Sequence, residues 1–101
     1  MRIVVLSEEF IAQLNSWLPS QRGDRPSVGQ FTRIELPEIM AVVAEEWESL
    51  PALEAAGYRR LIRHWHHVAY YAITAFERPD SAIELVNISF DFSGLPDPDV
   101  D

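Results

Sequence analysis

The stretch from Arg59 to His67 is the part of the sequence whose residue types and spacing could do chemistry. It reads Arg-Arg-Leu-Ile-Arg-His-Trp-His-His and holds three of the eight arginines and all three histidines of the chain. Guanidinium groups bind phosphates and carboxylates through paired hydrogen bonds, and imidazole exchanges protons near neutral pH. This stretch therefore offers either an anion-binding surface or a site of acid–base chemistry.

The alternation of the arginines predicts how a strand would present them. In an extended chain Arg59 and Arg63 share a face with Leu61, where side-chain positions repeat about every 7 Å, while Arg60 points to the other face. We predict that Arg59, Arg60 and Arg63 bind a partner. The alternative is a solvated strand face whose arginines pair with the surplus glutamates of the helices. Trp65, near the expected turn, is a further partner-binding candidate, either as a rim residue covering the core or as an exposed anchor.

The histidines allow two kinds of site. His66 and His67 are the candidates for general acid or base work on a phosphate held by a nearby arginine. His64 and His66 would share one side of a continuing strand, where a carboxylate from elsewhere could complete a metal site. No third ligand follows at a recognisable spacing, so we expect no metal.

Other catalytic motifs are missing from the sequence. It contains no glycine-rich phosphate loop, no nucleophile elbow, no zinc-protease motif and no calcium-binding loop. We therefore expect no cofactor, and we expect a binding protein rather than an enzyme.

Length and composition bound the class of protein. A chain of 101 residues that is 48% apolar forms one globular domain. The absence of cysteine excludes disulfides and thiolate chemistry. The longest apolar runs have six residues, against about 20 for a membrane span, and Met1–Leu6 is too short for a signal peptide. We expect a cytoplasmic protein without membrane contact.

Charge is distributed unevenly along the chain. The net charge is −8, yet residues 58–78 carry four arginines against one glutamate, and residues 79–101 carry six acids and no base. An acidic chain disfavours broad binding to nucleic acid. We predict one domain over residues 1–94 and an acidic, flexible tail over 95–101 that could fold back onto the Arg59–Arg63 face.

The first half of the sequence predicts the elements that precede this basic stretch. Arg2–Leu6 is typical of a strand, and Ser7 can cap a helix that ends at Pro19. Residues 19–30 have the composition of a loop. Phe31–Leu36 could be a short strand or the approach to a second helix. That helix is expected to open at Pro37 and to close before Pro51.

The second half has the period of strands. Turn residues separate the last two runs, which favours an antiparallel meander. The predicted strands are Arg59–Arg63, His67–Ala75 and Ala82–Phe92. A helix over residues 59–75 is the competing interpretation, because Leu61, Trp65 and Val68 also fit a helical stripe.

Together these elements predict an α+β fold in the order β-α-α-β-β-β, with two N-terminal helices packed on one face of a small, mainly antiparallel sheet. Apolar residues on the inward faces should form its core. The predicted core includes Phe10, Leu14, Trp17, Val43, Trp47, Val68 and Tyr70.

A family resemblance runs through the same region. Leu50-Pro51, followed by Gly57-Tyr58-Arg59-Arg60-Leu61 and by His66-His67-Val68-Ala69-Tyr70-Tyr71, resembles the RelE/ParE superfamily of bacterial toxins. The resemblance implies a small sheet packed on two N-terminal helices. It also implies a toxin that either cleaves messenger RNA on the ribosome or inhibits DNA gyrase, and that an antitoxin neutralises. By position, His66 and His67 stand at the family's Tyr-Arg pair, and Arg59 and Arg60 match its first basic strand.

The end of the sequence favours one branch of that superfamily. Phe90-Asp91-Phe92 stands where ribonuclease members carry a closing basic motif. We therefore expect a toxin-like protein that acts by protein binding, with an antitoxin and a protein target such as DNA gyrase as partners and with ribosome and messenger RNA less favoured. The alternatives are a non-toxic binding module or acidic nucleic-acid mimic on the same fold, and a ribosome-dependent ribonuclease using His66 or His67.

Overall fold

The computed structural model describes residues 2–21, 26–54 and 56–92. Over these residues the chain forms two helical rods, residues 8–17 and 28–49, and a four-stranded mixed sheet, which confirms the α+β class. The elements are β1 (Val4–Leu6), α1 (Glu8–Trp17), α2 (Val28–Gln30), a π-helical turn (Phe31–Glu35), α3 (Leu36–Glu46), a 3₁₀ turn (Trp47–Ser49), β2 (Tyr58–Trp65), β3 (Ala69–Glu77) and β4 (Ile83–Asp91). Residues 22–25 of the predicted loop and the predicted tail 95–101 lie outside the described residues.

The first helix begins where its capping residue predicts. The Ser7 hydroxyl accepts a hydrogen bond of 2.9 Å from the Phe10 N–H, which satisfies one of the free donors of the first turn. The helix ends at Trp17, and Pro19 follows. Phe10 and Leu14 are buried, as predicted, and they fix the inward face of α1.

The second helical rod starts earlier than predicted. Ser27 and Gln30 form a capping box in which each side chain accepts a hydrogen bond from the other's backbone N–H, so the rod begins at Val28. Pro37 lies in the first turn of α3, as predicted, but α2 and a π-helical turn already precede it. The rod widens over the π-helical turn just before this proline, where the Leu36 N–H donates to the Phe31 carbonyl. A widened turn suits this position because proline has no N–H to continue the regular ladder.

The three C-terminal strands form the predicted antiparallel meander, and the competing helix over residues 59–75 is wrong. The sheet order is β1-β4-β3-β2, with β1 parallel to β4. A bulge at Thr74/Ala75 shifts the pairing between β3 and β4. No described helix is long and apolar enough to cross a membrane.

The core lies between the sheet and the helical rods. Val43 and Trp47 are buried as predicted, but Tyr70 is 43% exposed and Val68 is half-buried. The reason is a shift of one residue. The turn after β2 includes Val68, so β3 begins at Ala69 and sends Tyr71 inward instead of Tyr70.

Trp17 also differs from its predicted core position. It is the last residue of α1 and remains 39% exposed. Its ring lies 6.0 Å from that of Phe90 and 6.4 Å from that of Phe92, measured between centroids. Trp17 therefore covers the margin of the core where β4 ends.

The opposite side of the sheet faces away from the helical rods, and we call it the open face. Its side chains alternate with the inward-facing ones along β2 and β3, and along β4 on either side of the bulge. From β2 and β3 it presents the cross-strand pairs Tyr58 and Phe76, Arg60 and Thr74, Ile62 and Ala72, and His64 and Tyr70.

Candidate functional site

Strand β2 divides the basic stretch between two environments, as its alternation predicts. Arg59 and Arg63 are half-buried, on the side of the sheet that packs against the helical rods. Arg60 is exposed on the open face. The three arginines therefore do not form one common cationic surface.

Arg59 binds within the protein. Its Nη1 donates a hydrogen bond of 2.6 Å to the Leu50 carbonyl, and its guanidinium carbon lies 5.4 Å from the centre of the Trp47 ring. These contacts join β2 to the end of the second helical rod. Arg59 thus has partners that hold it in the fold, through a charge-assisted hydrogen bond and a cation–π contact.

Arg63 belongs to a polar cluster on the inner side of the sheet. Its Nη2 lies 3.0 Å from Glu38 Oε2, and the Tyr71 hydroxyl donates a hydrogen bond of 2.9 Å to the buried carboxylate of Glu35. Burial raises the pKa of Tyr71 above its ordinary value, and the hydrogen bond to Glu35 raises it further. Sequence reasoning missed Glu35, which lies in the segment whose secondary structure it left open.

Arg60 is placed differently from the other two. Within the part of the chain that the structure describes, no side-chain hydrogen bond or ion pair involves its guanidinium group. It lines a depression with residues of α1, β3 and β4. These residues are Gln13, Trp17, Ala72, Thr74, Asn87, Ile88 and Ser89.

Apolar surface adjoins this depression on the open face. Ile62 is 65% exposed, and Tyr70 is the other large exposed apolar residue here. Both line a second, smaller depression together with Ala72, Ser89 and Asp91. An exposed isoleucine next to a cation with no described partner, with an exposed tyrosine one cross-strand row further along, offers the apolar and charged contacts that protein interfaces use.

The three histidines cluster at the tip of the β2–β3 hairpin, and all are exposed. His64 stacks on Tyr70 with ring centroids 4.4 Å apart. The ring of His66 lies 3.8 Å from that of His67 and 5.9 Å from that of His64. The strand ends at Trp65, so His66 is in the turn, and among the described residues no group of three or more His, Asp or Glu is placed to hold a metal ion.

Trp65 follows the first of its two predicted alternatives. It is 8% exposed, and its ring meets that of Phe31 edge to face at 5.3 Å. Its position covers the core at the end of β2. Trp65 therefore has little exposed surface with which to bind a partner.

Sequence reasoning identified Arg60 but missed the polar residues around it. Thr74 on β3 is paired with Arg60, and Asn87 on β4 is paired with Thr74. The side chain of Gln13, on α1, donates a hydrogen bond to Asn87. The local signal for this surface was the alternation of Asn87 and Ser89 with buried residues along β4, together with Thr74 on β3.

We found no match between this chain and any protein-family model, any curated protein or any solved structure. The chemistry of the open face therefore has to be derived from its own side chains.

Proposed function

We propose that this protein is a toxin-like component of a bacterial toxin–antitoxin module and that it acts by binding another protein through the open face. The observation that carries this proposal is the placement of Ile62, which is 65% exposed, next to Arg60 on the open face, with the exposed Tyr70 one cross-strand row beyond Ile62. The resemblance to RelE/ParE toxins supports the toxin assignment, and the observed element order is compatible with it.

Charge favours a protein target over RNA. The chain carries a net charge of −8, and two of the three arginines of β2 have partners within the fold. One remaining guanidinium gives little of the phosphate neutralisation on which RNA affinity rests. Protein interfaces are rich in apolar contacts and in arginine, and the open face offers both. The gyrase-directed branch, neutralised by an antitoxin, is therefore the form of toxin that we propose.

Controlled expression in a bacterial host tests this function. We expect growth arrest with the wild-type chain and loss of arrest with Ile62→Thr, because that change removes apolar area from the open face. Ile34→Thr is the matched control, since Ile34 is 55% exposed on the helical side of the molecule. Soluble accumulation of the wild-type chain without arrest would contradict the toxin assignment and favour a non-toxic binding module.

A second candidate is an endoribonuclease, and it rests on the hairpin tip. His66 and His67 are exposed, with ring centroids 3.8 Å apart, so one imidazole could remove a proton while the other donates one. Messenger RNA from the same expression experiment decides between the two. Cleavage by the wild-type chain that disappears with His66→Ala and His67→Ala would favour the ribonuclease and contradict the protein-binding proposal.

A further inference from the structure

Arg60 lies in a row of polar side chains that crosses three strands. It is paired with Thr74 on β3, and Thr74 is paired with Asn87 on β4. In the next row Ala72 is paired with Ser89. Because alanine is small, the surface sinks between these polar neighbours. We call this depression the Arg60 pocket.

The hydrogen bonds of Gln13 fix which end of Asn87 is free. The Ile88 N–H donates to Gln13 Oε1 at 2.8 Å, so the other end of the Gln13 amide is the nitrogen. That nitrogen donates to Asn87 Oδ1 at 2.8 Å. Asn87 Nδ2 is left as a donor with no acceptor among the described residues.

The lining of the Arg60 pocket is therefore rich in donors. Arg60 supplies N–H groups and a positive charge, Asn87 supplies a side-chain N–H₂, and the hydroxyls of Thr74 and Ser89 can each donate. None of the described residues that line the pocket is Asp or Glu. Such a lining suits an anion.

The charge balance selects the kind of anion. One guanidinium matches one negative charge, and the surplus acids of the chain disfavour a multiply charged ligand. Ile62 lies on the open face beside Ala72, with an exposed apolar surface that a free ion would not use. A carboxylate carried on a segment with apolar neighbours fits both features.

We infer that the Arg60 pocket binds an aspartate or glutamate side chain of the protein partner while an adjacent apolar side chain of that partner rests on Ile62. This inference rests on the proposed function, because it takes the open face as the surface that meets the partner. It adds the chemistry of the segment that is recognised.

A titration of the full-length, ¹⁵N-labelled protein tests the inference. The probes are the blocked tripeptide acetyl-Leu-Asp-Leu-amide, its neutral analogue acetyl-Leu-Asn-Leu-amide and inorganic phosphate. We expect the aspartyl peptide to shift the side-chain N–H₂ signals of Asn87 and the backbone signal of Thr74. We expect the asparaginyl peptide to bind roughly tenfold more weakly, because the charge-assisted hydrogen bonds are lost.

Arg60→Gln should reduce the affinity for the aspartyl peptide by a similar factor. Arg33→Gln is the matched control, since it removes the same charge from an exposed arginine on the helical side. Equal binding of both peptides, no effect of Arg60→Gln, or a preference for phosphate over the aspartyl peptide would each overturn the inference.

The titration and the growth experiment separate the two claims. A protein that arrests growth but does not bind the aspartyl peptide refutes the pocket alone. A protein that binds the peptide at Arg60 but does not arrest growth refutes the toxin assignment alone.

Discussion

The Tyr71 hydroxyl donates a hydrogen bond of 2.9 Å to the Glu35 carboxylate, and both residues are buried. This contact joins the π-helical turn to the central strand β3, across 36 positions of the chain. A buried carboxylate is costly unless it has a partner. The pair therefore fixes how the second helical rod sits on the sheet.

Tyr71→Phe should destabilise the fold, because it leaves the buried Glu35 without its donor. We expect the free energy of unfolding to fall by about 1–3 kcal/mol, as measured by urea denaturation. Tyr70→Phe is the matched control, since Tyr70 is next in sequence but lies on the open face. Equal stability of the two variants would contradict this role of Glu35.

Stability should also fall at alkaline pH. Burial and Glu35 raise the pKa of Tyr71 in the folded state above its ordinary value of 10.0, so folding favours the protonated phenol. The stabilisation is complete below pH 10 and is lost as the pH rises from there through the folded-state pKa. Unfolding measured across this range should show a decline in the wild-type chain that is smaller in Tyr71→Phe. Parallel curves for the two proteins would refute the assignment.

Neighbouring arginines of β2 should respond differently to the same change. Arg59→Gln removes the hydrogen bond to the Leu50 carbonyl and the contact with Trp47, and should cost about 1–2 kcal/mol of unfolding free energy. Arg60→Gln should leave stability within about 0.5 kcal/mol, since Arg60 is an exposed surface residue. Thermal unfolding of both variants checks this. If Arg60→Gln lost more stability than Arg59→Gln, Arg60 and not Arg59 would be the arginine that stabilises the fold.

Acids of the C-terminal segment should weaken binding at the Arg60 pocket. We expect replacement of Asp97, Asp99 and Asp101 by Asn to strengthen binding of the aspartyl tripeptide at low salt, and this gain should vanish near 1 M salt, where the Debye length is about 3 Å. Glu45→Gln, Glu46→Gln and Glu54→Gln together give a control with the same net charge. An equal gain in this control would show that total charge, and not the tail, is responsible.

Local patterns predicted the elements whose signals are local. The Ser7 cap placed the start of α1, and the alternation of β2 correctly separated Arg60 from Arg59 and Arg63. Both signals depend on neighbours within a few residues, so a single sequence is enough to read them.

Inward-facing residues of β3 were harder to predict because they depend on where the turn ends. His67 has a positive φ of 62°, which is unusual for a residue other than glycine. A histidine at this position does not by itself predict that conformation. The turn therefore extends to Val68, one residue further than predicted. As a result Tyr71, and not Tyr70, faces the core. The Ser27 capping box was hidden within a segment whose composition indicates a loop.

Most of the Arg60 pocket is a product of tertiary structure. Gln13 and Asn87 are separated by 74 positions, and the orientation of the Asn87 amide follows from their contact. No short motif encodes such a contact. The sequence alone identifies Arg60 as an available cation, but its neighbours in the pocket follow from the pairing of the strands.

The π-helical turn has a further consequence for how the second rod winds. Phe31, Glu35, Ile39, Val43 and Trp47 are all buried at intervals of four residues. A regular α-helix rotates such a series by about 40° at each step, which would carry its ends away from one flat surface. The wider turn advances less per residue and so offsets part of this drift. The turn also determines what a deletion would do. Seven residues of regular α-helix end about 20° short of two full turns, so loss of one residue between 31 and 35 would tighten the winding and leave Ile39 and Val43 facing the core.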